Sequence, residues 1–325
     1  MKIKVKWLLL GAAALCAVLL ALCFGGARLS LTEVWAGLRG SGGPTLTAIM
    51  RHVRLPRVLG AVLAGVGLSV SGALLQSVTN NALASPNIIG VNAGAGFATI
   101  LLLHFFPTAV PAQPFAAFAG AFAATMCILG IAGRMDASKT AVLLAGMALT
   151  TLLNAGISCI SLLDTDVLST YNDFSIGGLA GVTPDRLLIP AILILLSLGL
   201  ALLLSGRIAT LCLGDELAGA LGVRVRGLRV VCLLCASASA AAVVSFAGLL
   251  GFVGLIVPHM ARRLCGSDVR RSLPAAALLG AALVPLADVL GRALFAPTEL
   301  PVGIVMAAVG APFFLILLLR RKRHA

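Results

Sequence analysis

One stretch of this mostly apolar sequence, residues 213–229, holds a group of five charged residues and reads LGDELAGALGVRVRGLR. Asp215 and Glu216 suit the positively polarised start of a short helix, and Gly222 can take the left-handed conformation that ends one. Three arginines follow Gly222. Together these signals predict two short helices around a turn. Because the charges must lie in water, we expect this segment to form a docking surface.

Asp288 is an acidic residue well inside a long apolar segment, where a charge is costly and often functional. It could therefore act in a proton relay. Arg292 follows four residues later, on the same face of a helix, so the two side chains could instead form a structural ion pair. The sequence leaves both interpretations open.

A third group of polar side chains lies within one apolar segment. Thr150, Asn154, Ser158 and Ser161 recur at spacings of four, four and three residues, which places them on one face of a helix. Such a stripe either donates hydrogen bonds to neighbouring helices or lines a water-filled path. Both functions are compatible with the pattern.

The residues needed for catalysis or metal binding are missing. None of the lysines completes a phosphate-binding loop of the form GxxxxGK[ST], and the histidines have no metal-ligand spacing. The CxxC pair, Cys232 and Cys235, lies in an apolar run and is predicted to pack in a core. We expect no catalytic residue, no metal and no cofactor in this chain, which cannot use ATP by itself.

Composition identifies the environment of these groups. The 325 residues are 60% hydrophobic and 11% charged, with a mean hydropathy of +1.10, which is too little polar surface for a soluble globule. A bilayer crossing needs roughly 20 apolar residues, so the length allows on the order of ten helices. The net charge of +13 could suggest a nucleic-acid partner, but its distribution favours a membrane and no nucleic acid.

The apolar runs predict an all-α integral membrane protein with about ten transmembrane helices. Residues 230–262 are too short for two full crossings, so one of the two helices there is expected to be short or broken near Pro258. The predicted helices cover residues 7–24, 57–78, 91–106, 115–133, 140–162, 187–205, 230–262 as a pair, 273–294 and 302–319. The predicted connections include a polar connector at 25–56, an uncharged buried connection at 77–96 and an acidic outer loop at 163–186.

Most lysines and arginines fall on one side of this scheme, which predicts a cytoplasmic location for both termini and for the loop at 206–229. Arg54-x-x-Arg57 and Arg226-x-x-Arg229 each precede a helix rich in small residues, five helices apart. An odd offset reverses the direction of the chain. The pattern therefore predicts two inverted five-helix halves.

Five collinear segments resemble the FecCD-type permeases, the membrane subunits of ABC importers for iron siderophores, haem and cobalamin. The segments are RLPRVLGAVLAGVGLSVSGALLQ (54–76), NNALASPNIIGVNAGAG (80–96), LGDELAGALGV (213–223), GFVGLIVPHMARRLCGSDVRRSLP (251–274) and ADVLGRALFAPTELPVGIVMAAVGAPFF (287–314). The resemblance runs nearly from end to end and implies one transmembrane permease domain over residues 1–325.

The resemblance also implies partners. These are a second permease subunit in a homodimer or in a heterodimer with a paralogue, two ABC ATPase subunits that carry ATP and Mg²⁺, a substrate-binding protein outside the cytoplasm, and membrane lipid. The homodimer is the simpler arrangement. The expected location is the bacterial inner membrane, and the expected function is import of an iron siderophore by alternating access. Haem or cobalamin import is the alternative within the family, and a proton-coupled secondary transporter that uses Asp288 is the alternative outside it.

Residue roles follow from the resemblance by position. Arg54, Arg57 and Arg292 match outer-face arginines that dock the binding protein, although Arg54 and Arg57 could also anchor a helix at lipid headgroups. Residues matching the coupling helices that contact the ATPase are Leu213, Gly214, Asp215, Glu216, Ala218, Leu221, Gly222 and Val223. Ser138, Lys139 and Thr140 match the cytoplasmic gate of the family, where Lys139 departs from the small or hydroxyl residue expected. Thr150, Asn154 and Ser158 are candidates for the lining of the pathway because of their spacing alone.

Overall fold

A computed structural model describes residues 3–26, 28–87, 90–134, 139–295 and 298–321, and these residues form helices and their connections without a strand. A π-helical segment, Ile49–Arg54, joins the helices Pro44–Ala48 and Leu55–Thr79, and a short 3₁₀ turn, Val110–Ala112, precedes the helix Gln113–Arg134. The helices are α1 (Ile3–Cys23), α2 (Leu31–Arg39), α3 (Pro44–Ala48), α4 (Leu55–Thr79), α5 (Val91–Phe105), α6 (Gln113–Arg134), α7 (Lys139–Leu163), α8 (Thr165–Ile176), α9 (Pro184–Leu203), α10 (Ser205–Leu211), α11 (Asp215–Ala220), α12 (Val225–Ala247), α13 (Val253–Cys265), α14 (Val269–Leu294) and α15 (Val302–Arg321).

Seven stretches of the described chain are long and apolar enough to cross a membrane, and two shorter apolar helices accompany them. The prediction of an all-α membrane protein is thereby confirmed. The count of ten crossings stays a prediction, because α13 has only 13 residues. The long stretches lie in α1, in the continuous region from α3 to α4, and in α6, α7, α9, α12 and α14.

Residues 25–56 were predicted as a polar connector, and this prediction is wrong because much of the segment is helical. It contains α2, α3 and the π-helical segment, and the last two continue into α4 as one 36-residue stretch, Pro44–Thr79. Ser30 and Glu33 form a reciprocal capping box that starts α2, and Gly40 ends it with a φ of +82°. These capping groups allow helices to form despite the polar composition.

The acidic loop predicted at 163–186 also contains a helix, α8. Asp164 caps its start, because the Asp164 carboxylate accepts a hydrogen bond from the backbone N–H of Val167 at 3.2 Å. Asp166 lies in the first turn, where a negative charge suits the helix dipole. The acids that suggested a solvated loop therefore also stabilise a helix.

The pair of helices predicted in residues 230–262 is confirmed as α12 and a short α13. The break lies between Gly248 and Phe252, which both have positive φ angles, and not at Pro258, which lies inside α13. Gly248 fits because a side chain there would collide with the backbone carbonyl of Phe174. The chain thus reverses direction at a tightly packed turn.

The centre of the bundle is built around α4, whose small residues admit close neighbours. Gly65 of α4 lies directly against the backbone of Gly280 in α14, and neither position has room for a Cβ atom. Ser71 donates a hydrogen bond to the Ala236 carbonyl at 2.6 Å, and Ser239 donates one to the Gly67 carbonyl at 3.0 Å. These contacts make α4 and α12 antiparallel, as inverted halves require, although the repeat itself remains a prediction.

Two ends of the bundle carry the residues of functional interest. The first, here called the arginine end, holds Arg54, Arg57 and Arg292, where α1 and α14 end and α4 begins. The second, here called the loop end, holds residues 206–229, where α4 ends and α12 begins. The long helices connect the two ends.

Candidate functional site

At the loop end, the predicted charged stretch folds around the six-residue helix α11. Gly214 precedes it with a φ of +117° and Gly222 follows it with a φ of +80°, conformations that favour glycine. Ala218 on α11 is fully buried in the cluster that contains Leu211 and Leu228. The predicted helix start at Asp215 and the left-handed stop at Gly222 are both confirmed.

Several contacts fix α11 to the rest of the bundle. Asp215 forms an ion pair with Arg229 in the first turns of α12, with an oxygen–nitrogen distance of 2.8 Å. The Val223 N–H donates to the Ala218 carbonyl at 3.0 Å, and the Asn80 side chain donates to the Cys212 carbonyl at 3.2 Å. The loop is therefore an ordered extension of α4 and α12.

The outer face of this loop is apolar. Leu213, Leu217 and Leu221 are between 58% and 66% exposed, and they occur at intervals of four residues. Glu216 is exposed beside them. The interval of four was visible in the sequence, but Leu217 was not among the predicted coupling residues. We call these three residues the leucine ridge.

At the arginine end, a buried carboxylate lies between two guanidinium groups. Nε and Nη2 of Arg57 donate to the two carboxylate oxygens of Asp288 at distances from 2.9 to 3.2 Å, and Nη2 of Arg292 lies 2.9 Å from Oδ2 of the same carboxylate. Nη1 of Arg57 reaches Glu299 at 2.8 Å. The Asp288–Arg292 ion pair, one of the two interpretations that the sequence left open, is present, whereas Arg57 and Glu299 were not predicted to join it.

The last turn of α1 completes this cluster with backbone carbonyls. Arg54 donates to the Leu22 and Cys23 carbonyls at 2.6 and 3.0 Å, and Arg292 donates to the Ala21 carbonyl at 3.4 Å. These carbonyls have no partner within α1, and they carry the negative end of its dipole. The arginine cluster therefore joins α1, α4 and α14.

The structure brings together Arg54, Arg57 and Arg292, which were predicted to dock a partner. Arg54 and Arg292 are each only 6% exposed, whereas sequence reasoning placed them on an outer face. Arg57 and the half-exposed Glu299 border a cleft of about 510 Å³ that is also lined by Asp173 and Arg186. A partner could reach Arg57 through this cleft, and the docking role stays a prediction.

Only the middle of the polar stripe of α7 faces away from the rest of the subunit, because the Thr150 hydroxyl is buried beside Gly90. Asn154 and Ser158 are exposed, and Thr150 is half-buried. Within the described residues, Asn154 and Ser158 form no hydrogen bond to a neighbouring helix, which favours a lining over an interhelical contact. Ser138 lies outside the described residues. Lys139 and Thr140 begin α7, but their side chains are not described.

A second polar pair, which is only partly exposed, lies at the arginine end between α5 and the start of α8. Nδ1 of His104 is 3.0 Å from Oδ2 of Asp164. This hydrogen bond, together with that from the Val167 N–H, holds the pKa of the Asp164 carboxyl below its usual value. Across the described ranges, histidine, cysteine and acidic side chains form no cluster of three that could hold a metal ion.

Comparison with known proteins matches this architecture to one family. The profile of the FecCD transport family covers residues 13–320. The chain is 39% identical to the ferric enterobactin transport system permease protein FepD of Escherichia coli, across 94% of this chain and 92% of FepD. It is 35% identical to the hemin transport system permease protein HmuU of Yersinia pestis, across 92% and 91% of the two chains.

A solved structure of a metal-chelate type ABC transporter in an inward-facing conformation superposes with a TM-score of 0.86. The two chains are 30% identical, and the match covers 98% of this chain and 99% of the other. Sequence and fold therefore agree over nearly the whole length. This chain belongs to the FecCD transport family and is a membrane permease of the ABC importer type.

Proposed function

We propose that this chain is the membrane-spanning subunit of an ATP-driven importer that carries an iron–siderophore complex into the cytoplasm. The relatives include a permease for ferric enterobactin, which supports this cargo. The chain works as a homodimer by alternating access, and ATP is hydrolysed by two separate ATPase subunits. An extracytoplasmic binding protein delivers the cargo.

The leucine ridge is the observation that carries this proposal. Three large apolar side chains project from an ordered loop that lies beyond the membrane-spanning helices, where water would otherwise surround them. Buried apolar centres with charged rims are typical of protein interfaces, and Glu216 supplies a charge at the rim. We infer that the loop at 206–229 inserts α11 into a cleft of the ATPase.

At the opposite end, acidic side chains of the binding protein would approach the cleft beside Arg57. Glu299 occupies the outward Nη1 of Arg57, so a docking carboxylate would take the place of Glu299. Arg54 and Arg292 would contribute through the electrostatic field of the cluster. The exposed face of α7 would line the path between two copies of the chain, with the gate at residues 138–140.

The membrane orientation follows from the basic residues. The loop end and both termini would lie in the cytoplasm, and the arginine end would lie outside the inner membrane of a bacterium. This orientation places the leucine ridge where ATP is available. It also places the cleft beside Arg57 where a binding protein can reach it.

Two alternatives remain as outcomes of the test. Haem import is supported by the similarity to HmuU, and cobalamin import by the family resemblance alone. A proton-coupled secondary transporter is disfavoured, because Asp288 is enclosed by two guanidinium groups and is therefore better explained as a structural anion.

The proposal is tested by uptake of radiolabelled iron into cells that express the chain with an ATPase and a binding protein of the importer. Leu217→Ser and Glu216→Arg should each reduce uptake by about tenfold or more, because one removes apolar contact area and the other reverses a rim charge. Both residues are exposed, so the amount of inserted protein should not change.

Leu203→Ser is the control, since Leu203 at the loop end of α9 is also exposed, at 83% against 58% for Leu217, but lies outside the loop at 206–229. It should retain normal uptake. Wild-type uptake by the Leu217→Ser and Glu216→Arg variants would refute the coupling role. Comparison of ferric siderophore, haem and cobalamin as competitors identifies the cargo.

A further inference from the structure

The short helix α2 has two different faces. Val34 and Gly37 are buried, and Gly37 lies against the side chain of Met50. Leu31 and Trp35 lie on the opposite face and are 60% and 57% exposed. Leu31, Trp35 and Arg39 follow one another at intervals of four residues and therefore lie on the same face. This exposed face combines two large apolar groups with one cation.

The depth of α2 is set by its contacts with α1. Val34 packs in one cluster with Ala21 and Leu22, which belong to the last turn of the membrane-spanning helix α1. The chain leaves one apolar span at Cys23 and enters the next at Pro44. Hence α2 lies at the level where the spans end, which is the headgroup region of a bilayer.

The charges near the exposed face are positive. The guanidinium of Arg39 lies 4.5 Å above the Trp35 ring, a cation–π contact that holds both groups at the same place. Arg51 is exposed and donates to the Leu38 carbonyl at 3.3 Å, so a second guanidinium lies near the same end of α2. The acid of this helix, Glu33, is engaged by Ser30 in the capping box.

We propose that α2 is an interfacial anchor that binds phospholipid at the arginine end, with Leu31 and Trp35 among the upper acyl carbons and Arg39 and Arg51 on the phosphates. Tryptophan is enriched at this depth because its ring is apolar and its N–H is polar. Arginine forms charge-assisted hydrogen bonds with phosphate oxygens. The exposed Ile49 and Val53 of the π-helical segment extend the apolar surface beside α2.

The sequence contains two tryptophans, Trp7 and Trp35, which permits a direct test. The full chain with Trp7→Phe, reconstituted in phosphatidylcholine vesicles, has Trp35 as its sole tryptophan. Bromine placed on acyl carbons close to the headgroup should quench its fluorescence several-fold more than bromine near the terminal methyl group. Acrylamide in the aqueous phase should quench it weakly.

The contribution of Arg39 to lipid binding is measured with brominated phosphatidylglycerol, which carries a negative charge. It should quench Trp35 up to about fivefold more effectively than brominated phosphatidylcholine at equal density, and Arg39→Gln should reduce that preference. The Trp35→Phe variant, which reports Trp7 alone, is the control for general lipid effects. If Trp7→Phe does not fold, the difference between wild type and Trp35→Phe gives the same signal.

Strong quenching by acrylamide with no response to brominated lipid would overturn the proposal, because the face would then lie in water. Protection from both quenchers would also overturn it, since the ring would then be covered by protein, for example by a second copy of the chain. If wild type and Arg39→Gln show the same preference for phosphatidylglycerol over phosphatidylcholine, Arg39 does not take part in the proposed headgroup contact.

Discussion

The two ends of the bundle hold their charges in opposite ways. At the arginine end, Asp288 lies between Arg57 and Arg292 and is buried, and the carbonyls of α1 accept the remaining donors. At the loop end, the Asp215–Arg229 pair is partly exposed, and the apolar leucine ridge faces outward. The comparison indicates that the first set of side chains maintains the fold, whereas the second is available to a partner.

The largest effect is expected from Asp288→Asn. This change leaves two buried guanidinium groups without their carboxylate, which typically costs about 3–5 kcal/mol in the free energy of unfolding. Thermal unfolding of the purified protein in detergent measures the loss. Glu299→Gln is the control, because Glu299 is 40% exposed and an exposed partner contributes about 0–1 kcal/mol. Equal stability of the two variants would show that the buried Asp288 carboxylate contributes no more to the fold than the exposed Glu299.

A smaller loss is expected from Asp215→Asn, about 1 kcal/mol or less, because the Asp215 carboxylate is half-exposed and screened by solvent. The same unfolding measurement applies. The fractional loss of iron uptake should be larger than the fractional loss of stability, because Arg229 would no longer hold the start of α11. A loss of stability as large as that of Asp288→Asn would show that the loop end is also a stability determinant.

The smallest effect is expected at Asp164. It tests whether the contribution of a charged pair to stability depends on the end of the bundle where the pair lies or on the burial of the pair. Asp164 pairs with His104 at the arginine end but is partly exposed, unlike Asp288, and its pKa is lowered by that contact. Its stabilisation is present above the ordinary aspartate value of about pH 4 and is lost as the pH falls through the lower folded pKa.

The melting temperatures of wild type and Asp164→Asn should therefore differ slightly at neutral pH and converge only when the pH falls below the lowered folded pKa of Asp164. Asp166→Asn, which removes a carboxylate from the same first turn of α8 and leaves the His104–Asp164 contact in place, is the control variant. A gap that persists at low pH would mean that the carboxylate charge is not the stabilising feature.

Much of this architecture could be predicted from the sequence. Continuous apolar runs locate the spans, and Gly65, Gly67 and Ser71 correctly indicate a helix with close neighbours, because small residues are needed wherever backbones approach. The limits of α11 follow from Asp215 and Gly222, since helix ends depend on local groups. Local signals of this kind require no knowledge of distant contacts.

Contacts between distant segments could not be predicted. Arg57 and Asp288 are separated by 231 residues, and no spacing rule connects them. Their burial depends on the packing of α4 against α14, which the sequence does not specify. The two missed helices, α2 and α8, differ from this case. Their capping signals at Ser30 and Asp164 were present, but the polar composition of both segments favoured a loop interpretation.

The contact between Gly65 and Gly280 has a mechanical consequence. Because each backbone occupies the space of the other residue's missing side chain, α4 and α14 cannot rotate or slide past one another without a collision. They should therefore move as one rigid body that extends from the arginine cluster to the loop end. Relative motion is then left to loosely packed elements such as α7, so a disulfide that links α4 to α14 should leave the transport cycle intact.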